Sequence, residues 1–255
     1  MQTYIGAPIT RQEDVRFLTG SATFIDDVKV PRMLHAAILR SPHGHARVRS
    51  IDTARARSLP GVVAILTWED IAAITKPIPI RLYPLPGLDR FLQYPLARDT
   101  VRHVGEAVAV AIADSRYLAE DALDAIEVTY DPLPVVTDVR DALRDEVLVQ
   151  EENGTNLAAH YTIELGDVAH AFRSAEYTRR EEFRVHRHTG NPLETRGLVA
   201  SYDAEKSELT VWGPTKVPHF NRAILASFLD MAELQIHFIE PDVGGGFGIR
   251  GEFYP

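Results

Sequence analysis

The chain of 255 residues contains no cysteine. That excludes disulfides, thiolate zinc sites and cysteine-ligated iron–sulfur clusters built from this chain's own residues. A cysteine-free chain fits the cytoplasm, which is the expected compartment. Basic charge is also short: 27 Lys and Arg stand against 36 Asp and Glu, a formal charge of −9. This balance argues against nonspecific nucleic-acid binding and against an anionic membrane surface. No apolar run is long enough for a membrane span. The opening Met1-Gln2-Thr3-Tyr4-Ile5-Gly6 lacks the basic and apolar regions of a signal peptide. An apolar share of 45% and a charged share of 25% are those of an ordinary globular chain, with room for one large or two modest domains.

The richest stretch is Pro241-Asp242-Val243-Gly244-Gly245-Gly246-Phe247-Gly248-Ile249-Arg250. It follows the apolar Ile236, Phe238 and Ile239, so a strand is expected to run into a glycine loop. Without Cβ atoms, such a loop brings peptide N–H groups close to a ligand, and successive N–H groups form an anion-binding nest. The common nucleotide loops do not match. A G-x-G-x-x-G pattern from Gly244 needs glycine at 249, where Ile249 stands. A phosphate loop needs Lys and Ser or Thr after its glycine, and Glu252 and Phe253 follow Gly251. A tight turn between strands is the plain alternative.

Elsewhere, short apolar runs alternate with helical patterns. Residues 34–39, 62–66 and 107–112 read as buried strands, and 127–130 as another. A short helix is expected over 52–59. A second, capped by Asp114 or Ser115, should carry Tyr117, Leu118, Ala122, Ala125 and Ile126 on one face. Five prolines (77, 79, 84, 86, 95) make 75–98 irregular. The acidic, polar stretch 138–156 reads as a boundary. Past it, Asp167 should cap a short helix. Alternation predicts strands over 176–188, 198–202 and 208–212, with a hairpin turn at 203–207. Phe220, Ile224, Leu225, Phe228 and Leu229 mark an amphipathic helix. This mixture indicates an α/β or α+β layer.

Several ordered motifs resemble the large, molybdenum-binding subunits of the xanthine dehydrogenase, aldehyde oxidase and aerobic carbon monoxide dehydrogenase family. They are Arg11-Gln12-Glu13-Asp14-Val15-Arg16-Phe17-Leu18-Thr19-Gly20, Phe24-Ile25-Asp26-Asp27, Ser41-Pro42-His43-Gly44-His45, Val104-Gly105-Glu106 and Tyr130-Asp131-Pro132-Leu133-Pro134. Pro192-Leu193-Glu194, Gly213-Pro214-Thr215, Pro218-His219 and the 244–248 loop continue the order. The resemblance implies an α+β fold: an α/β hammerhead domain over 1–137, a linker over 138–156, and the beginning of a molybdopterin-binding domain over 157–255. It implies a molybdopterin cofactor, its cytosine dinucleotide form included, bordered by Gly244, Gly245, Gly246, Phe247, Gly248 and Arg250. No metal is expected to be ligated by side chains of this chain. Phe247 is a candidate ring wall for a flat substrate, with a core role as the alternative.

The family motif Gly-x-x-Gln-x-Pro-His carries Lys216 in place of its glutamine. Lys216 and Phe247 are therefore the candidate catalytic residues. Lys216 would be a cationic donor to the metal's oxygen ligands, or a solvated surface lysine. Glu194 is expected to be a buried structural acid. His43 with His45, and His186 with His188, have metal-like spacing but no further partners in the sequence.

The family's general base and most pterin contacts lie in segments this chain does not contain. The resemblance thus implies a further molybdenum-subunit chain as partner, an FAD-binding medium subunit and a [2Fe-2S] small subunit. A dimer of such heteromers is expected, and the chain alone should be inactive. The reaction implied is hydroxylation of an N-heterocycle, an aldehyde or a carbon monoxide-like substrate with oxygen from water. The competing expectation is a non-catalytic remnant that serves as an assembly or interaction module.

Overall fold

The computed structural model describes residues 5–80 and 85–251. Pro84, among the expected excursion prolines, lies outside them. Along the chain the strands are β1 (His35–Arg40), β2 (Ala46–Asp52), β3 (Val62–Leu66), β4 (Thr100–Val101), β5 (Ala107–Ala113), β6 (Glu127–Pro132), β7 (Val199–Asp203), β8 (Glu208–Trp212) and β9 (Ile236–Ile239). The helices are α1 (Asp14–Leu18), α2 (Ala54–Arg57), α3 (Trp68–Ile71), α4 (Arg116–Leu123), α5 (Val139–Ala142), α6 (Val168–Ser174) and α7 (Pro218–Leu229). The fold is α+β. By contact it forms two units, His35–Thr189 and a unit that joins the N-terminal segment up to Leu34 to the chain from Gly190 onward.

In the first unit, β5 is the centre of an antiparallel sheet ordered β1–β5–β3. A central strand is covered on both faces, so β5 reads as an unbroken apolar run, and Ala107, Val108, Ala109, Ala111 and Ala113 are buried. Ala122 of α4 packs into the same core with Ile65, Ala109 and Ala111, and Ala119 is buried too. Small side chains let helix and sheet approach closely. Ser115 starts α4 by accepting the Leu118 N–H at 3.3 Å. The helix ends at Leu123, earlier than expected. Ala125 and Ile126 are nevertheless buried, in the turn that leads to β6. A second sheet, β4–β2–β6, buries Ala46 and Val101.

The 138–156 stretch is organised around Asn156. Its amide nitrogen donates to the Ala142 and Val147 carbonyls at 3.1 and 2.8 Å, and its amide oxygen accepts the Val149 N–H at 2.9 Å. Asp167 caps α6 by accepting the His170 N–H at 2.8 Å. The alternating stretch 176–188 forms no strand. Tyr177, Phe183 and Val185 stay exposed there. Alternation supplies a two-faced side-chain pattern, but a strand also needs a neighbour to pair with. No described strand pairs with this stretch.

In the other unit, β7 and β8 form an antiparallel hairpin, and β8 pairs in parallel with β9. Parallel neighbours need a crossover, and α7 provides it. Asp167-type capping is absent here: Pro218 opens α7 as its first residue, behind Val217. The face of α7 that packs is the expected one in part: Ile224, Leu225 and Phe228 are partly buried. Asn221 and Ala226 are buried, whereas Phe220 and Leu229 are exposed. No helix among the described residues is long and apolar enough to cross a membrane.

Candidate functional site

Parallel pairing of β8 and β9 sets Trp212 opposite Ile239, so both strands end at the same edge of the sheet. Ligands in sheets with parallel strands collect at such carboxyl ends. From β8 the chain runs through Gly213-Pro214-Thr215-Lys216 into α7. From β9 it runs through Glu240 and Pro241 into the glycine loop. The two connections are stitched together. The Gly213 N–H donates to the Ile239 carbonyl at 3.1 Å, and the Thr215 N–H to the Glu240 carboxylate at 3.0 Å. The Lys216 N–H donates to the Arg250 carbonyl at 3.0 Å.

Between them lies a pocket of about 310 Å³, lined by Thr215, Lys216, Val243, Gly246, Phe247, Gly248 and Arg250. Lys216 is exposed at its rim. The N–H groups of Gly246, Phe247 and Gly248 carry no hydrogen bond to the described residues. Among the described residues no carboxylate lines the pocket, and Thr215 and Lys216 stand at the positive end of α7. These donors and this charge suit an anionic, oxygen-bearing ligand.

Two glycines are demanded by space. A Cβ on Gly244 would lie 2.4 Å from the Glu194 Cβ, and one on Gly245 (φ 110°) would lie 3.0 Å from the Pro192 Cβ. At Gly246 the Cβ position is open. Phe247 is not a core residue: 76% of it is exposed. It also adopts a left-handed backbone, with φ 47°, which is rare and costly for a bulky side chain. Gly190 lies directly beneath it, 2.8 Å from the Phe247 Cβ to where a Cβ of its own would stand.

The loop is held from behind by Glu194 and Arg250, whose side chains are 11% and 4% exposed. The Arg250 guanidinium donates to the Gly245 carbonyl, the Glu194 carbonyl and the Glu194 carboxylate at 2.8, 2.8 and 3.0 Å. The same carboxylate oxygen accepts the Gly244 N–H at 2.9 Å. Glu194 is partly buried and bonded to the loop, as a structural acid would be. Arg250 borders the pocket, but its Nε and one Nη are engaged by the loop itself.

Of the sequence candidates, Lys216, Gly246, Phe247, Gly248 and Arg250 meet at the pocket. Gly244 and Gly245 shape the loop without lining it. Sequence reasoning missed Thr215, Gly190 and Pro192. It also missed Asn221, whose amide nitrogen donates to the Thr215 hydroxyl at 2.5 Å while its oxygen stays buried without a partner. The histidines serve locally. His45 is buried with its Nδ1 2.8 Å from the Pro134 carbonyl, and His43 packs on Tyr130 with ring centroids 4.8 Å apart. No group of three metal-binding side chains occurs among the described residues.

A family model described as "Aldehyde oxidase and xanthine dehydrogenase, a/b hammerhead domain" matches residues 19–134. A second, "Molybdopterin cofactor-binding domain", matches residues 149–255. The chain belongs to the molybdenum-binding large-subunit family of xanthine dehydrogenase, aldehyde oxidase and carbon monoxide dehydrogenase. It is 39% identical to the carbon monoxide dehydrogenase large chain of Afipia carboxidovorans, over 96% of this chain and 31% of that one. It is 36% identical to the nicotine 6-hydroxylase large subunit of Paenarthrobacter nicotinovorans, over 98% of this chain and 31% of that one. Among solved structures, quinoline 2-oxidoreductase from Pseudomonas putida 86 superposes with a TM-score of 0.82 at 35% identity, over 98% of this chain and 32% of that one. The chain therefore spans about a third of the length of these relatives. Lys216 and the 246–248 turn lie within residues 149–255, the span that the second family model matches.

Proposed function

We propose that this chain forms one wall of the molybdenum site of a hydroxylase. The carrying observation is the pocket lined by Lys216 and the glycine loop, where the N–H groups of Gly246, Phe247 and Gly248 carry no hydrogen bond to the described residues and no described carboxylate takes part. Those features suit a molybdopterin cofactor, whose metal carries oxygen ligands. When bound, the cofactor supplies Lewis-acid and two-electron redox chemistry. Lys216 and the N–H groups of Gly246, Phe247 and Gly248 would hold its oxygen atoms by donation, and Gly244, Gly245 and Arg250 would fix the loop that presents them. Donors fixed in advance stabilise charge that develops during reaction. The exposed Phe247 ring would border a flat substrate, which favours an N-heterocycle over an aldehyde or carbon monoxide.

No described side chain at the pocket is suited to be a general base, because the nearby Glu194 is bound to Arg250 and Gly244. The base is therefore assigned to a further molybdenum-subunit chain, which also shares the cofactor, in its cytosine dinucleotide or simpler form. Electrons would leave through a [2Fe-2S] small subunit and an FAD-binding medium subunit. The relatives named "large chain" and "large subunit" are consistent with such assemblies. The proposal keeps the division into a hammerhead domain (1–137), a linker (138–156) and a cofactor-binding portion (157–255), a dimer of heteromers and a cytoplasmic setting.

The test is to purify the assembly that contains this chain and measure molybdenum, pterin and dye-coupled turnover with N-heterocycles, aldehydes and carbon monoxide. Molybdenum in proportion to the chain, with turnover that the separated chain lacks, is expected. An assembly free of molybdenum and pterin would overturn the reading.

A further inference from the structure

The glycine loop is tied to residues far away in sequence. Asp242, two positions before Gly244, pairs with the Arg16 guanidinium across 226 residues of chain. Its other carboxylate oxygen accepts the Thr23 N–H at 3.0 Å, and its own N–H donates to the Thr23 carbonyl at 2.9 Å. Two residues further on, the Ile25 N–H donates to Glu194 Oε1 at 3.4 Å. That carboxylate's second oxygen holds Gly244 and Arg250. Ile25 is 6% exposed, and its Cγ2 lies 3.4 Å from where a Cβ on Gly197 would stand. The N-terminal segment therefore grips both carboxylates that hold the loop. One grip is at the loop's entry, through Asp242. The other reaches its exit, through Glu194 and Arg250.

We propose that residues 16–27 are a positioning strap that fixes the glycine loop, with Asp242 as its main anchor. The reason a strap is needed is on the loop itself. Phe247 sits in a left-handed conformation, which persists only where the surroundings over-determine it. Gly245 and Gly248, at φ 110° and 90°, give the backbone freedom to leave that arrangement. Loop glycines alone would let the unbonded N–H groups scatter. The ties at Asp242 and Glu194 remove that freedom from behind and leave the pocket face open. The significance of the strap for catalysis rests on the cofactor reading above, but the strap itself does not.

The test is hydrogen–deuterium exchange with peptide resolution on the full chain, comparing wild type with Asp242→Ala, Asp242→Asn and Arg16→Met. Asp242→Asn keeps an oxygen for the Thr23 N–H and loses the ion pair. Arg16→Met loses the pair while keeping apolar bulk against Phe17. Exchange of the bonded loop amides Gly244, Ile249 and Gly251 should rise roughly tenfold or more in Asp242→Ala, and by less in the other two. The β7–β8 hairpin and β5 should exchange as in wild type. Unchanged exchange in the loop of all three variants would overturn the strap. So would an increase spread equally over the loop, the hairpin and β5 in Arg16→Met, because that marks general destabilisation. Either failure leaves the cofactor reading standing, since exchange reports loop order and not molybdenum.

Discussion

Removing the Arg250 guanidinium should destabilise the unit that carries the pocket by about 3–5 kcal/mol, the usual cost of breaking a buried ion pair. The structure gives the reason. Arg250 and Glu194 are 4% and 11% exposed, so water cannot replace what is lost. In Arg250→Met, two carbonyls lose a charged donor, and the Glu194 carboxylate keeps only the N–H groups of Gly244 and Ile25. Arg250→Lys should recover little, because a single ammonium cannot span the same three acceptors. The double variant Arg250→Met with Glu194→Met should be less damaged than Arg250→Met alone, because it also removes the stranded charge. The two tryptophans divide the assay: Trp68 lies in one unit and Trp212 in the other. In a Trp68→Phe background, urea unfolding followed by Trp212 fluorescence reads the relevant unit. With a denaturant slope of about 1–3 kcal/mol per M, the midpoint should fall by roughly 1–5 M. A loss under about 0.5 kcal/mol would refute the argument that this pair holds the loop, since that is the range of ordinary surface changes.

Three further outcomes are expected. Gly244→Ala places a methyl 2.4 Å from the Glu194 Cβ, so it should cost about 1–3 kcal/mol by the same urea assay. Asn156→Ala removes the side chain that bonds Ala142, Val147 and Val149. It should speed proteolysis within 138–156 and leave unfolding read by Trp212 unchanged. The Asp242 carboxyl is held below its ordinary value, first by the Thr23 N–H and then by Arg16. A lowered folded pKa means that its contribution is complete above the unfolded value of about 4 and fades as pH falls through the folded one. Loop protection should therefore be flat from neutral pH to about 4 and decline below that, and Asp242→Asn should abolish the decline.

How much of this was legible beforehand follows from where the information sits. Strand β5 was readable because a strand covered on both faces needs an unbroken apolar run. The Ser115 and Asp167 caps were readable because capping is local. The glycine loop and its entry from β9 were readable for the same reason, and the meeting of Lys216 with that loop came from the family motif. What was not legible depends on distant partners. Nothing near Arg16 announces Asp242. The 176–188 alternation resembles a strand, and only the lack of a pairing edge removes it. On α7, apolar content pointed to five residues, of which Ile224, Leu225 and Phe228 are partly buried, while Phe220 and Leu229 are exposed and Asn221 and Ala226 are buried. Phe247 was open between core and ring wall, and its exposure with φ 47° resolves that in favour of the surface.

The most direct test of the proposed site is turnover per molybdenum in the assembled enzyme with Lys216→Ala and Lys216→Gln. If Lys216 donates to the cofactor's oxygen atoms, Lys216→Ala should lower turnover by about two orders of magnitude with molybdenum content preserved, as loss of one donor aimed at developing charge does. Lys216→Gln should retain more activity than Lys216→Ala. Equal turnover in all three would mean that the side chain faces solvent and that the pocket is not the metal's wall.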